Sequence, residues 1–256
     1  MNTEHAALIR ALAGACLEFI GWAWVSFCFG LALFLLVPAA YGAEPLRFEA
    51  AAGVCQYGQA GKGIWWNDAY PTAINLRTAC WSVGASQVRG QWHGVDLGWR
   101  AAYTDLGKYK ADNQFALLDT EQFTVFDPST CNPATGSHCT GRGVMGGRTR
   151  GIALSGLAER RLGPAALGVE AGALLYYSRF DVAVYSTSGP NTGAHLVNLN
   201  WGGPGITPFM GLTASYGALF GTIRAYADVK AHEPKCQGCS GITDGLAWQA
   251  TLGVQF

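Results

Sequence analysis

Several groups of residues in this 256-residue sequence carry side chains able to do chemistry, and each asks for a particular setting. Beyond His5, the histidines are His93, His138, His195 and His232. Hydrolysis or acyl transfer would need one of them beside a serine and an acid, the histidine activating the hydroxyl and the acid orienting the histidine. None stands in a Ser-His or acid motif, so no catalytic residue is assigned and the chain is read as non-enzymatic. Cys236-Gln-Gly-Cys239 has the spacing of a redox or zinc pair, but no helix start lowers a thiol pKa there and no second ligand pair follows at zinc-site spacing. Gly141-Arg-Gly-Val-Met-Gly146 has dinucleotide-fingerprint spacing, yet it follows a loop and does not open a helix after a strand. No cofactor or metal is therefore expected. A last group is a mixed-sign set at alternating positions: Glu49, Asp96, Arg100, Glu159, Glu170, Arg224, Asp228 and Lys230. Such a set can form hydrogen-bonded ion pairs if one structure turns all of these side chains to the same side.

Composition narrows what that structure is. Charged residues make up 13% of the chain, about half the usual share, while glycine occurs 35 times and apolar residues fill half the sequence. Lys plus Arg and Asp plus Glu both number 17, so no net field attracts nucleic acid. From Phe19 to Val37 the chain is uncharged and apolar, with Arg10 before it and Pro38-Ala-Ala-Tyr-Gly-Ala43 after it. That profile predicts a signal peptide over residues 1–43, cleaved after Gly42 or Ala43, and one exported domain over 44–256; a retained anchor is the alternative. Export into an oxidising compartment predicts disulfides among the remaining Cys55, Cys80, Cys131, Cys139, Cys236 and Cys239. Proximity pairs Cys131 with Cys139 and Cys236 with Cys239, leaving Cys55 and Cys80 to join neighbouring strands.

After the leader, stretches of about ten residues alternate in character, as strands with two unlike faces do. In Leu246 to Phe256, Trp248, Ala250, Leu252, Val254 and Phe256 share one face and Gln249, Thr251, Gly253 and Gln255 the other. Comparable strands run from Phe48 to Tyr57, Asn75 to Ser86, Gly94 to Thr104, Arg150 to Arg160, Ala166 to Ser178, Ile206 to Tyr216 and Thr222 to Lys230. Short links (Gln87 to His93, Arg161 to Ala165, Gly217 to Gly221) alternate with long ones (Gln59 to Ile74, Lys108 to Gly147, Ser186 to Gly205, Ala231 to Gly245). The fold expected is all-β: an eight-stranded antiparallel transmembrane β-barrel with short periplasmic turns and long external loops. A soluble sandwich would not place apolar residues outside every strand. Tyr57, Trp81, Trp92, Tyr103, Tyr177, Tyr216 and Trp248 would form interfacial girdles. The mixed-sign set would face a lumen just wide enough for side chains to fill.

The stretch Thr149-Arg-Gly-Ile-Ala-Leu-Ser-Gly-Leu157 and the terminal Leu252-Gly-Val-Gln-Phe256 resemble the small outer-membrane proteins built on the OmpA transmembrane-domain pattern, including the Ail/Lom and OmpW-like families. The resemblance spans 44–256 and implies a Gram-negative outer membrane. In its light Trp248, Leu252, Val254 and Phe256 look like the terminal signal read by the barrel-assembly machinery. It leaves two functions: a surface protein whose loops mediate adhesion, resistance or envelope integrity through a host or surface ligand, or a narrow porin-like channel for small or hydrophobic solutes. A lipid A or phospholipid-modifying enzyme is the least supported. No counterpart of a peptidoglycan-binding domain is expected. The partners expected are outer-membrane lipid and lipopolysaccharide, whose phosphates Arg142, Arg148 and Arg150 would meet at the outer rim.

Overall fold

In the computed structural model the described residues are 44–58, 72–116, 140–187, 193, 195–229, 243 and 246–256. They form β1 (Arg47–Gln56), β2 (Thr72–Asn75), β3 (Arg77–Trp92), β4 (Val95–Ala116), β5 (Thr140–Leu162), β6 (Ala165–Ser186), β7 (His195–Tyr216), β8 (Leu219–Tyr226) and β9 (Ala247–Gln255). Antiparallel pairing runs β4-β3-β1-β9-β8-β7-β6-β5, and β5 pairs back onto β4, so eight strands close a ring. β2 continues β3 beyond a break at Leu76 and pairs with the far end of β4, Ile74 opposite Ala111. The first and last strands join each other in the ladder: the Phe256 N–H donates to Phe48 O at 2.9 Å and the Phe48 N–H to Phe256 O at 2.8 Å. A closed ring leaves no strand edge exposed at that level, which is what a bilayer demands of β-structure.

Three two-residue turns sit at the end of the barrel where Phe48 and Phe256 meet. His93 and Gly94 both have positive φ, 48° and 79°, matching a type I′ hairpin turn. Gly163-Pro164 and Gly217-Ala218 each place a positive-φ glycine first, at 67° and 58°, as a type II′ turn requires. These turns are tighter than the links expected from sequence, because β3 runs on to Trp92 and β5 to Leu162.

The outward face is apolar over a band of limited height. On β6 it runs Leu167, Val169, Ala171, Ala173, Leu175 and Tyr177, with Leu167, Val169 and Leu175 about half exposed. Ten residues of strand rise about 33 Å, or about 25 Å along the barrel axis at a tilt of about 40°, the height of a lipid-facing band. Neighbouring strands add Ile152, Leu154, Met210, Leu212, Ile223, Trp248 and Leu252 at matching levels. Met210 stands opposite Ala171, midway up this band. Met210→Arg is therefore expected to destabilise the folded barrel by about 2–4 kcal/mol in urea titrations in lipid vesicles, since a guanidinium there must enter the bilayer midplane.

Above the band the strands continue where sequence reading places loops. Residues 108–116, 140–147 and 195–205 are strand, so the Gly141–Gly146 run lies within β5, and Trp201 lies on β7 and not in a loop. Alternation persists there with its polarity reversed. Tyr109, Ala111, Met145, Phe180, Val182 and Val184 point in and are buried, while Lys108, Lys110, Arg142, Arg148 and Arg179 point out and are exposed. A wall that has left the lipid follows the rule of a soluble protein, apolar inside and charged outside. β8, conversely, ends at Tyr226, four residues short of the expected Lys230. Residues 1–43, His138, His232, Lys230, and the pairs Cys131 with Cys139 and Cys236 with Cys239 lie outside the described residues.

Candidate functional site

Three levels of side chains fill the barrel from the turn end upward. At the turn end Glu44, Arg47, Asp96, Glu159 and Arg161 interlock. Arg161 contacts Glu44 and Asp96, Arg47 contacts Glu44, and Arg47 lies 3.8 Å from Glu159, which accepts a bond from the Thr213 hydroxyl at 3.4 Å. Gln91 adds a 3.0 Å bond to Asp96. Partial burial works to raise the Glu44 carboxyl, but hydrogen bonds and charge from Arg161 and Arg47 outweigh it and hold the group below its ordinary value.

The middle level is a closed charge cluster from four strands. Glu170 on β6 is buried and sits between two guanidiniums: Arg224 Nε donates to Oε1 at 2.6 Å, and Arg100 Nη1 to Oε2 at 3.0 Å. Arg100 also reaches Glu49 on β1, with Nε 2.8 Å from Oε2. Ser86 and Ser155 hydroxyls donate to Glu49 and Glu170 at 2.6 and 3.2 Å. Phe220 and Phe209 cover the guanidiniums of Arg100 and Arg224 at 5.7 and 5.3 Å. Two carboxylates and two guanidiniums leave the cluster neutral, the condition under which charge is tolerated out of water.

Of the eight mixed-sign residues named from sequence, six (Glu49, Asp96, Arg100, Glu159, Glu170 and Arg224) are buried inside the barrel. Asp228 lies past the end of β8, half-buried, where its backbone N–H donates to the Thr207 hydroxyl at 3.1 Å.

The upper level is aromatic. Tyr57 and Tyr109 meet edge to face at 4.9 Å, Tyr109 lies 6.5 Å from Phe180, and Phe209 lies 5.4 Å from Tyr226, whose hydroxyl donates to Gln249 at 2.6 Å. Sequence reading assigns Tyr57 to the lipid interface, but it is almost wholly buried and points inward. The alternation of β1 puts it on the face of Glu49, Ala51 and Cys55, and its hydroxyl meets a bulge in β4, where the pairing with β5 shifts between Asp105 and Lys108 and Gly107 takes a φ of 81°. The bulge strands backbone groups that Tyr57 satisfies: its hydroxyl donates to Gly107 O at 3.0 Å and accepts from the Thr149 N–H at 3.2 Å. Tyr109 lies flat over Gly147, where a Cβ would come within 2.3 Å of the ring, so glycine makes room for the plug. Beside this layer a disulfide joins Cys55 to Cys80, tying β1 to β3.

This is a filled eight-stranded barrel. No family model matches the chain, and no curated protein matches it. Among solved structures it is similar to Ail, the attachment invasion locus protein of Yersinia pestis, in two structures. One is a complex with the heparin analogue sucrose octasulfate, and the two share 8% and 10% identity with this chain. Each covers 83% of this chain and 100% of Ail at a TM-score of 0.35. The translocator domain of the autotransporter NalP from Neisseria meningitidis shares 12% identity over 99% of this chain and 97% of that one, with a TM-score of 0.26. The fold rests on the strand pairing itself.

On the outside, just above the apolar band, β4–β7 form a groove of about 570 Å³ lined by Lys108, Arg148, Arg150, Tyr177, Arg179, Asp181, Asn200, Trp201 and Gly202. Strand register builds it, with Lys108 opposite Arg148, Arg148 opposite Arg179, and Arg179 opposite Gly202. Sequence reading names Arg148 and Arg150 for this rim but misses Lys108 and Arg179, which only the register brings alongside. Arg142, named with them, stands farther up β5 and is held by Asp112, its Nε 2.8 Å from Oδ1. Trp201 stacks toward Phe180 at 5.9 Å. His93 packs against Trp92 in a hairpin turn, and His195 lies 2.9 Å from Asn198 at the opposite end of the barrel. Trp81, Trp92, Tyr177, Tyr216 and Trp248 are exposed as girdle residues would be, and Leu252, Val254 and Phe256 also point outward.

Proposed function

We propose that this chain is a non-conducting surface barrel of a Gram-negative outer membrane, exported by a cleaved leader, whose role in adhesion, resistance or envelope integrity is exercised from its external end. The observation that carries the proposal is the filling of the lumen at successive levels. A neutral ion cluster of Glu49, Arg100, Glu170 and Arg224 lies beneath an aromatic layer of Tyr57, Tyr109, Phe180 and Tyr226, all buried. Eight strands enclose an interior that side chains can fill, and here the largest buried side chains stand in it. The strands that outrun the lipid band all do so at the end opposite the hairpin turns, the end such barrels turn outward.

Planar-bilayer recording of the refolded chain tests the proposal. The wild-type protein is expected to give no discrete conductance steps. Reproducible steps that change on Arg100→Ala would replace it with the narrow-channel reading.

A further inference from the structure

The groove on the outer wall of β4–β7 combines features that the lumen does not need. We infer that it binds the phosphorylated sugar headgroup of an outer-leaflet glycolipid of the lipid A class; the inference rests on the outer-membrane reading above.

Height is the first reason. Above Ile152 and Tyr177 the next outward residues on β5 and β6 are Arg150 and Arg179, followed by Arg148 and Asp181, before Val144, Ala183 and Tyr185 farther up. The outer wall thus turns from apolar to basic at the level where acyl chains give way to headgroups.

Charge is the second. Lys108, Arg148, Arg150 and Arg179 face two carboxylates, Asp105 on Arg148 and Asp181 on Arg179, the latter pair at 2.9 Å. That leaves a local excess of two positive charges in a chain whose formal net charge is zero. Among the described residues neither Lys108 nor Arg150 has a carboxylate partner, whereas Arg142, higher on the same wall, is paired with Asp112. Planar guanidiniums side by side suit phosphate oxygens, which they can grip two at a time.

Shape is the third. At Gly202 a side chain would strike the Tyr177 hydroxyl at 2.8 Å, so the missing Cβ keeps the floor of the groove open. Asn200 and Tyr177 add neutral hydrogen-bonding groups beside the cations. Asn200, opposite Asp181, stands at the top beside the cations, and Tyr177 and Ile152 lie beneath Arg179 and Arg150, so the wall runs from cations and amide through an aromatic ring to aliphatic side chains. An amphiphile with a phosphorylated sugar above acyl chains presents matching chemistry. A soluble polyanion would have no use for the lower part.

The test uses the refolded full barrel in detergent and native mass spectrometry to count bound bis-phosphorylated lipid A, with enzymatically dephosphorylated lipid A as the second probe. Wild type is expected to retain the bis-phosphorylated form at least tenfold more tightly than the dephosphorylated one. The double variant Lys108→Gln/Arg150→Gln should lose about tenfold, the loss of one to two charge-assisted contacts, while Arg142→Gln should match wild type. Equal retention of both lipids, or no loss in the double variant, overturns the inference. So does saturable binding of a soluble heparin fragment that displaces lipid A, which would make the groove a polyanion site. Migration of unboiled samples on denaturing gels checks that each variant is folded. A folded barrel in the outer-membrane fraction that is blind to phosphate removes this inference alone, whereas absence from that fraction removes the reading beneath it.

Discussion

Glu170→Gln should cost the folded barrel about 3–5 kcal/mol, because it removes the one carboxylate held between two buried guanidiniums. In the native structure Arg224 and Arg100 both donate to Glu170, and among the described residues Arg224 has no other carboxylate partner. Glutamine keeps the shape but supplies no charge, so two buried guanidiniums would be left with Glu49 as their one carboxylate in direct contact among the described residues. Urea titration of the refolded protein in lipid vesicles, followed by tryptophan fluorescence, measures the loss. Adding Arg224→Met should restore a large part of it, since the surviving Arg100–Glu49 pair is then balanced. A loss below about 1 kcal/mol for Glu170→Gln would mean that water already screens the cluster, as it does exposed ion pairs, and the lumen would not be filled as described.

The second large effect belongs to the aromatic level. Phe180 is buried and touches Tyr109 and Trp201 through ring contacts at 6.5 and 5.9 Å. Phe180→Ala should cost about 3–5 kcal/mol, the transfer of the ring plus the cavity it leaves. This level stands above the lipid band, so the displaced surface is referred to water and ordinary hydrophobic accounting applies. Hydrogen exchange should rise across 179–186 of β6 while the amides of the lipid-level segment around Val169 stay protected. Uniform loss of protection along β6 would show that the two levels unfold as one.

How much of this was readable in the sequence depends on which solvent a strand faces. At lipid level an apolar face stands against a polar lumen, and Trp248, Ala250, Leu252, Val254 and Phe256 against Gln249, Thr251 and Gln255 announce β9 almost residue for residue. Above the lipid the apolar face turns inward and lysine or arginine turns out, so 108–116 and 140–147 read as glycine-rich, charged loops. The side-chain period of two persists through both regions, and following period instead of polarity would have found the longer strands. Inward charge was legible because parity alone decides it, as for Glu49, Arg100, Glu170 and Arg224. Who contacts whom was not, since Glu170 and Arg224 meet across β7. The link between Cys55 and Cys80 was reached by setting aside nearer pairs. Tyr57 shares the parity of Glu49 and could have been placed inward by the same rule, whereas its hydrogen-bond partners depend on a bulge in another strand. The groove was half legible: Arg148 and Arg150 announce a basic rim, while Lys108 and Arg179 join it only through the register of three strand pairs.

The central claim, a closed barrel in the outer membrane, is tested most directly by expressing the chain in a Gram-negative host, isolating the outer-membrane fraction and comparing boiled with unboiled samples on a denaturing gel. The chain is predicted to be found in that fraction and to change mobility on boiling, as a detergent-resistant closed sheet unfolds. Recovery in the inner-membrane or soluble fraction, with identical mobility before and after boiling, would contradict it.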